Sequence, residues 1–131
     1  MGTARERIQE FLTRFGQERG FDAGKLDEHG GGQVARGSAT VQIRVLDEQG
    51  VLLVMSQVGK LPAEGREAVY RRLLEASLFQ TSDAAFAVDG KTDAIYLRAL
   101  RRLEGLDYEE FEDLVHTVAT VADEWDDRLR K

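Results

Sequence analysis

The sequence predicts a single α+β domain over residues 1–131, in the order α-β-β-β-α-β-β-α, with an antiparallel sheet packed against helices. Three observations carry this reading. Apolar residues recur at helical spacing near both ends and in the middle of the chain. Between them lie runs that alternate with period two, joined by short turn-rich segments. No repeat, long linker or low-complexity tract interrupts the 131 residues, a length that supports one real core.

The first helix is expected over residues 3–18. Ile8, Phe11, Leu12 and Phe15 fall at i, i+3, i+4 and i+7, so they share a face. Arg5, Glu6, Gln9, Glu10 and Arg14 fill the other side, and Gly16 and Gly20 bracket the stop. Residues 19–33 lack a pattern. Their "EHGGGQ" reads as a flexible connection or sharp turn, because consecutive glycines are costly to order.

A short strand, "QVAR" (33–36), is expected to pair ahead of Gly37 and Ser38. "TVQIRVL" (40–46) then alternates, with Val41, Ile43 and Val45 to one side and Thr40, Gln42 and Arg44 to the other. "DEQG" (47–50) is a turn in which Gly50 can take a positive φ. "VLLVMSQV" (51–58) is apolar on both faces up to Ser56, which suits a central strand covered in part on each side.

Pro62, the only proline, suits the start of a second helix, where its missing N–H costs little. Val69, Leu73 and Ala76 form one stripe of that helix, with Tyr70, Leu74 and Leu78 beside it. So broad an apolar face points to burial on more than one side, including by a second subunit. "AAFAV" (84–88) and "AIYLRAL" (94–100), joined by "DGKTD", read as a β-hairpin. The last helix opens at Asp107, with Glu110 three residues on to complete a capping box and Leu106 and Phe111 placed as a hydrophobic staple. Phe111, Leu114, Val115, Val118, Val121, Ala122, Trp125 and Leu129 hold one face for five turns, and Arg128, Arg130 and Lys131 suit its C-terminal dipole.

Composition narrows the function. The net charge of −6 opposes a nucleic-acid binder, whose affinity comes largely from neutralising phosphates. With no cysteine, disulfides and thiolate catalysis are excluded. The longest strictly aliphatic stretch, "VLLVM", is too short to span a bilayer, and "MGTARERIQEF" has no apolar signal core, so the expected compartment is the cytoplasm, without membrane contact.

Several motifs imitate chemistry. "GKT" (90–92) looks like the end of a phosphate-binding loop, but Ala85 stands where the first glycine is required and no helix is expected to follow Thr92. Gly59-Lys60 fails the same test. "HGGG" (29–32) resembles an oxyanion-hole motif, yet the chain has no G-x-S-x-G elbow to serve it. His29 and His116 are far apart in sequence, and His116 has Glu112 and Asp113 at i−4 and i−3, a setting for a local ion pair rather than a metal. The carboxylates Glu109, Glu110, Glu112, Asp113, Asp123, Glu124, Asp126 and Asp127 gather on the wet side of one helix, without the pocket that acid–base work needs. The expectation is therefore no cofactor, no metal and no catalytic residue. Arg66, Arg71, Arg72, Arg98, Arg101 and Arg102 form two basic groups. They either salt-bridge the acidic helices within a dimer or line a groove for an acidic ligand.

The surplus of apolar faces points instead to a self-associating binding module. A set of local strings agrees: "GSATVQIRV" (37–45), "LPAEGREAVYRRLLEASL" (61–78), "FAVDGKTDAIYLRAL" (86–100) and "LEGLDYEEFEDLVHTVATVADEWDDRL" (103–129). In combination they resemble the bacterial type III secretion chaperones of the Tir-chaperone type, and more closely still their YbjN-type relatives, over roughly residues 5–130. The resemblance implies a small, acidic, non-catalytic homodimer that binds a protein or peptide partner such as a secreted effector. It places Leu73, Leu74, Leu78 and Tyr96 at the dimer interface. It places Ile8, Leu12 and Phe15, or the exposed side of strand 51–57 with Leu52 and Val54, in a peptide groove. The YbjN-type alternative is a regulatory adaptor that binds one folded partner.

Overall fold

The computed structural model describes residues 3–36 and 39–130; Gly37 and Ser38, expected between the first two strands, and the terminal Lys131 lie outside the described residues. The elements are α1 (Ala4–Arg19), β1 (Gly31–Arg36), β2 (Ala39–Leu46), β3 (Val51–Lys60), α2 (Arg66–Phe79), β4 (Ala85–Val88), β5 (Ala94–Arg102) and α3 (Tyr108–Arg130). This is the expected α+β order. The strands form one sheet in the order β1-β2-β3-β5-β4, antiparallel at every step.

Period two in β2 and β3 decides the core. Val41, Ile43, Val45, Leu52, Val54 and Ser56 point inward and are buried, joined by Ile95, Leu97 and Ala99 of β5. α1 and α3 close over this face. Ile8, Leu12 and Phe15 from α1 meet Phe111, Leu114, Val115 and Val118 from α3 in the same core. The aromatic contact between the helices is close, with ring centroids of Phe11 and Phe111 5.7 Å apart and those of Phe15 and Phe111 6.2 Å apart. Ser56 is the buried polar exception on the sheet, and its hydroxyl donates to the Thr40 carbonyl at 2.9 Å.

The helix termini follow local chemistry. Thr3 caps α1 by accepting from the Glu6 N–H, and Gly20 closes it at φ 77°. Gly16 lies inside the helix rather than at its stop. A Cβ there would stand 2.6 Å from the Phe21 carbonyl oxygen, so glycine lets the exit segment fold back closely. At α3 the capping box forms: the Glu110 N–H donates to Asp107 at 2.8 Å and the Asp107 N–H to Glu110 at 3.4 Å. α2 begins at Arg66, four residues later than the proline suggested. Gly65 takes φ 72°, and the Arg66 side chain donates to the Pro62 carbonyl, holding residues 62–65 as a non-helical approach.

The glycine-rich stretch is not a loose connection. Asp27 accepts from the His29 and Gly31 N–H groups, the Asp27 N–H donates to the Gly31 carbonyl, and β1 starts at Gly31, two residues before the expected strand. Gly30 requires its glycine: φ is 80°, and a Cβ would sit 3.0 Å from the Val45 carbonyl oxygen. Gln9 staples the segment to α1, donating to the Gly24 carbonyl and accepting from the Leu26 N–H.

Candidate protein-binding surfaces

The helices leave two unlike surfaces. The first is the outward side of α2. Leu73 and Ala76 turn inward and are buried, while Tyr70, Leu74 and Leu78, at i, i+4 and i+8, face away. Leu74 is 72% exposed, Leu78 69% and the adjoining Phe79 85%. Beside this stripe lies a groove of about 420 Å³ lined by Tyr70, Leu73, Leu74, Phe86, Ala87 and Val88, in which carbon dominates. Ser77 ties helix and strand together beneath it, donating to the Leu73 carbonyl and accepting from the Phe86 N–H at 3.1 Å. Phe86 packs edge-on against Trp125 of α3, with ring centroids 5.1 Å apart.

The second is the outer face of the sheet. Residues of β3 and β5 that point away from the core are only part-buried: Val51, Leu53, Met55, Tyr96 and Arg98, with Leu100 40% exposed. Cross-strand register sets them in rows. One row runs Gly31, Arg44, Leu53, Leu100; the next runs Gln33, Gln42, Met55, Arg98, Ala85.

The expected interface residues therefore divide. Leu74 and Leu78 are exposed side by side on α2; Leu73 belongs to the core beneath them, and Tyr96 stands on the outer sheet face. The expected groove residues are corrected. Ile8, Leu12, Phe15, Leu52 and Val54 are each 0–1% exposed in the core, so they offer no surface in this conformation. In β3 the exposed side is Val51, Leu53, Met55 and Gln57. "VLLVM" is apolar at every position, so alternation alone could not say which half faces out.

The imitation motifs resolve into structure. Residues 89–93 are the hairpin tip between β4 and β5. Asp89 accepts from the Lys91 N–H, Thr92 accepts from the Ala94 N–H, and Asp93 sits at φ 63°. Arg66 grips the Asp93 carboxylate with two hydrogen bonds, at 3.1 and 2.9 Å, and this pairing holds Asp93 below the usual aspartate range. His29 is exposed beside Glu28, and His116 is exposed without the expected local pair, since Glu112 reaches Arg19 of α1 at 2.9 Å. Among the described residues, no group of three His, Asp or Glu could hold a metal ion, and no helix is long and apolar enough to cross a membrane.

Tyr108 is held well away from its ordinary titration range. Burial raises its pKa first, and the hydrogen bond it donates to Glu18 at 2.7 Å adds to this, so that it is pushed up to about 12. The pair lies at the α1–α3 seam under Arg14, whose guanidinium stacks 4.0 Å from the Tyr108 ring centre. It fastens two helices and faces neither open surface.

These surfaces belong to a known type of fold. The structure superposes on a chain of the ExsC–ExsE complex with a TM-score of 0.77, at 23% identity over 94% of this chain and 93% of that one. It superposes on a chain of the HopA1–SchA chaperone–effector complex with a TM-score of 0.75, at 11% identity over 97% and 98%. YbjN, a putative transcription regulator from E. coli, gives a TM-score of 0.58 at 13% identity over 92% of each chain, so of these three the relative expected to be nearer fits least well. A search of curated protein sequences returns no match. The profile of the Tir chaperone protein (CesT) family matches residues 10–126, nearly the whole chain, and on that match the chain belongs to this family.

Proposed function

We propose that the protein is a non-catalytic, homodimeric chaperone that acts in the cytoplasm and binds an extended segment of a partner polypeptide, of the secreted-effector type. One observation carries the reading: an uncovered apolar stripe, Tyr70, Leu74, Leu78 and Phe79, on a member of the Tir chaperone family. A monomer gains nothing by exposing leucines at about 70%, whereas a two-fold contact between α2 helices covers the stripe on both copies at once. The Tyr70–Val88 groove beside it continues the same interface. With α2 committed to the second copy, the outer faces of β3 and β5 remain for the partner. Family membership, and the fact that two of the similar structures are complexes with a second protein, support a protein ligand.

Co-expression with the product of an adjacent reading frame, followed by light scattering and hydrogen exchange, tests the proposal. The expected result is a complex of two copies with one partner, in which the bound segment lacks protection of its own when free. A monomer with no stable complex would overturn it. A partner that is fully protected before binding would favour an adaptor for folded proteins.

A further inference from the structure

The six arginines of the two basic groups do not share one fate. Arg66 is held by Asp93, Arg71 by Glu75 at 2.9 Å, and Arg101 by Asp83. Arg72 stacks over Trp125 and donates to the Arg128 carbonyl. Two remain, and both are on the outer sheet face: Arg98, which has no ion pair among the described residues, and Arg102, whose contact with Glu104 is a 3.7 Å pair between highly exposed side chains. β2 adds a third to the same face, Arg44.

No strand position on that face carries a carboxylate. Its outward residues are Gly31, Gln33 and Ala35 of β1; Thr40, Gln42, Arg44 and Leu46 of β2; Val51, Leu53, Met55, Gln57 and, past a bulge, Lys60 of β3; Ala85 and Ala87 of β4; and Ala94, Tyr96, Arg98, Leu100 and Arg102 of β5. In a chain with 24 acidic residues and a net charge of −6, this face is set apart. Asp27 lies at its β1 corner, close enough to interact with Arg44, but its carboxylate already accepts from the His29 and Gly31 N–H groups.

The layout is ordered. Leu53 and Met55 run along β3, Arg44 flanks them from β2, and Arg98 flanks them from β5 with Leu100 beside it. The two arginine-bearing strands lie two strand spacings apart, about 10 Å. That matches the width of a helix with its side chains, about 10–12 Å.

We propose that this face, Leu53, Met55 and Leu100 between Arg44, Arg98 and Arg102, docks an acidic amphipathic segment of the partner protein, its apolar side on β3 and its carboxylates on the arginines. The inference rests on the chaperone reading and adds the chemistry of the ligand. Charge complementarity selects the occupant: guanidinium groups at the surface alternating with apolar side chains match a peptide bearing both features. A nucleic acid fits less well, because its phosphates would meet three arginines on an otherwise acidic molecule and its backbone would not use the leucines.

The test uses the full chain and three synthetic helical peptides with one leucine face, flanked by glutamate, glutamine or lysine, read by fluorescence anisotropy at two salt concentrations. The glutamate peptide should bind at least about tenfold more tightly than the glutamine peptide, the effect of two or three partly desolvated ion pairs, and should weaken most with salt. The double variant Arg44→Glu with Arg98→Glu should reverse the order in favour of the lysine peptide, with mass and melting temperature unchanged. Arg44→Gln with Arg98→Gln should erase the preference, and serves if charge reversal disturbs folding. Equal binding of the glutamate and glutamine peptides would overturn the charge inference and leave the chaperone reading standing. Binding of none of the three would remove both. A change of oligomeric mass in the variants would assign the face to self-association, and tighter binding of a single-stranded oligonucleotide than of any peptide would assign it to nucleic acid. Either result would overturn the proposal.

Discussion

Replacing Leu74 and Leu78 together by glutamine separates the dimer from the fold. Glutamine keeps the helix propensity of leucine to within a few tenths of a kcal/mol, so α2 itself is little disturbed. Both leucines point away from the core, at 72% and 69% exposure, so the isolated chain loses little packing. Full burial of a leucine is worth about 2 kcal/mol. Each of these still has about 1.4 kcal/mol to gain, scaling that value by its exposure. Two-fold symmetry counts both residues twice, giving about 6 kcal/mol, or about four orders of magnitude in Kd. Incomplete desolvation at an interface reduces such sums, so a weakening of at least about a hundredfold is expected. Sedimentation equilibrium across a dilution series measures it, with far-UV circular dichroism and thermal melting at low concentration as the control for folding. Leu73→Ala is the contrast. Leu73 is 3% exposed, and its truncation should cost about 2–5 kcal/mol of stability in the protomer itself. A double glutamine variant that dimerises within tenfold of the parent while remaining folded would refute the assignment of the stripe to self-association.

Three further outcomes follow from named contacts. Asp107→Ala removes the N-cap of α3 and should lower stability by about 1 kcal/mol in a denaturant titration, with no effect on partner binding. Asp93 is held below its ordinary range mainly by Arg66, so its contribution is complete above about pH 4 and is lost as pH falls through its lower folded value; Asp93→Asn, which still tolerates φ 63°, should flatten the acid limb of a stability–pH curve. Tyr108 is raised instead, so its contribution is complete below about pH 10 and is lost as pH climbs towards about 12; Tyr108→Phe should remove that part of the alkaline decline, seen by melting at stepped pH.

Much of the architecture was legible because it is written in local chemistry. The Asp107–Glu110 box, the Gly50 turn and the 89–93 hairpin tip each depend on residues within a few positions of one another, and all three formed. The alternation of Val41, Ile43 and Val45 fixed which side of β2 is buried, since only one parity is apolar. The order of eight elements followed from such signals, and the resemblance to secretion chaperones rested on strings that span the same elements.

What the sequence could not decide is which apolar face meets which partner. Ile8, Leu12 and Phe15 form a stripe as convincing as Tyr70, Leu74 and Leu78. Transfer from water rewards burial in a core and in an interface alike, so periodicity cannot distinguish them. Only the placement of α1 against α3 and the sheet turned the first stripe inward and left the second exposed. In β3, every residue from Val51 to Met55 is apolar, and the side that faces outward was set by pairing with β2 and β5. The arginines show the same limit. Arg66 finds Asp93 twenty-seven positions away, and Arg101 finds Asp83 across a strand, so charge lists alone left all six equivalent. The sequence by itself determined the elements, their order and their caps, because these depend on neighbours along the chain. The tertiary structure alone decided which leucines are core, which are surface, and which arginines remain free to meet another molecule, because each of these depends on contacts between residues distant in sequence.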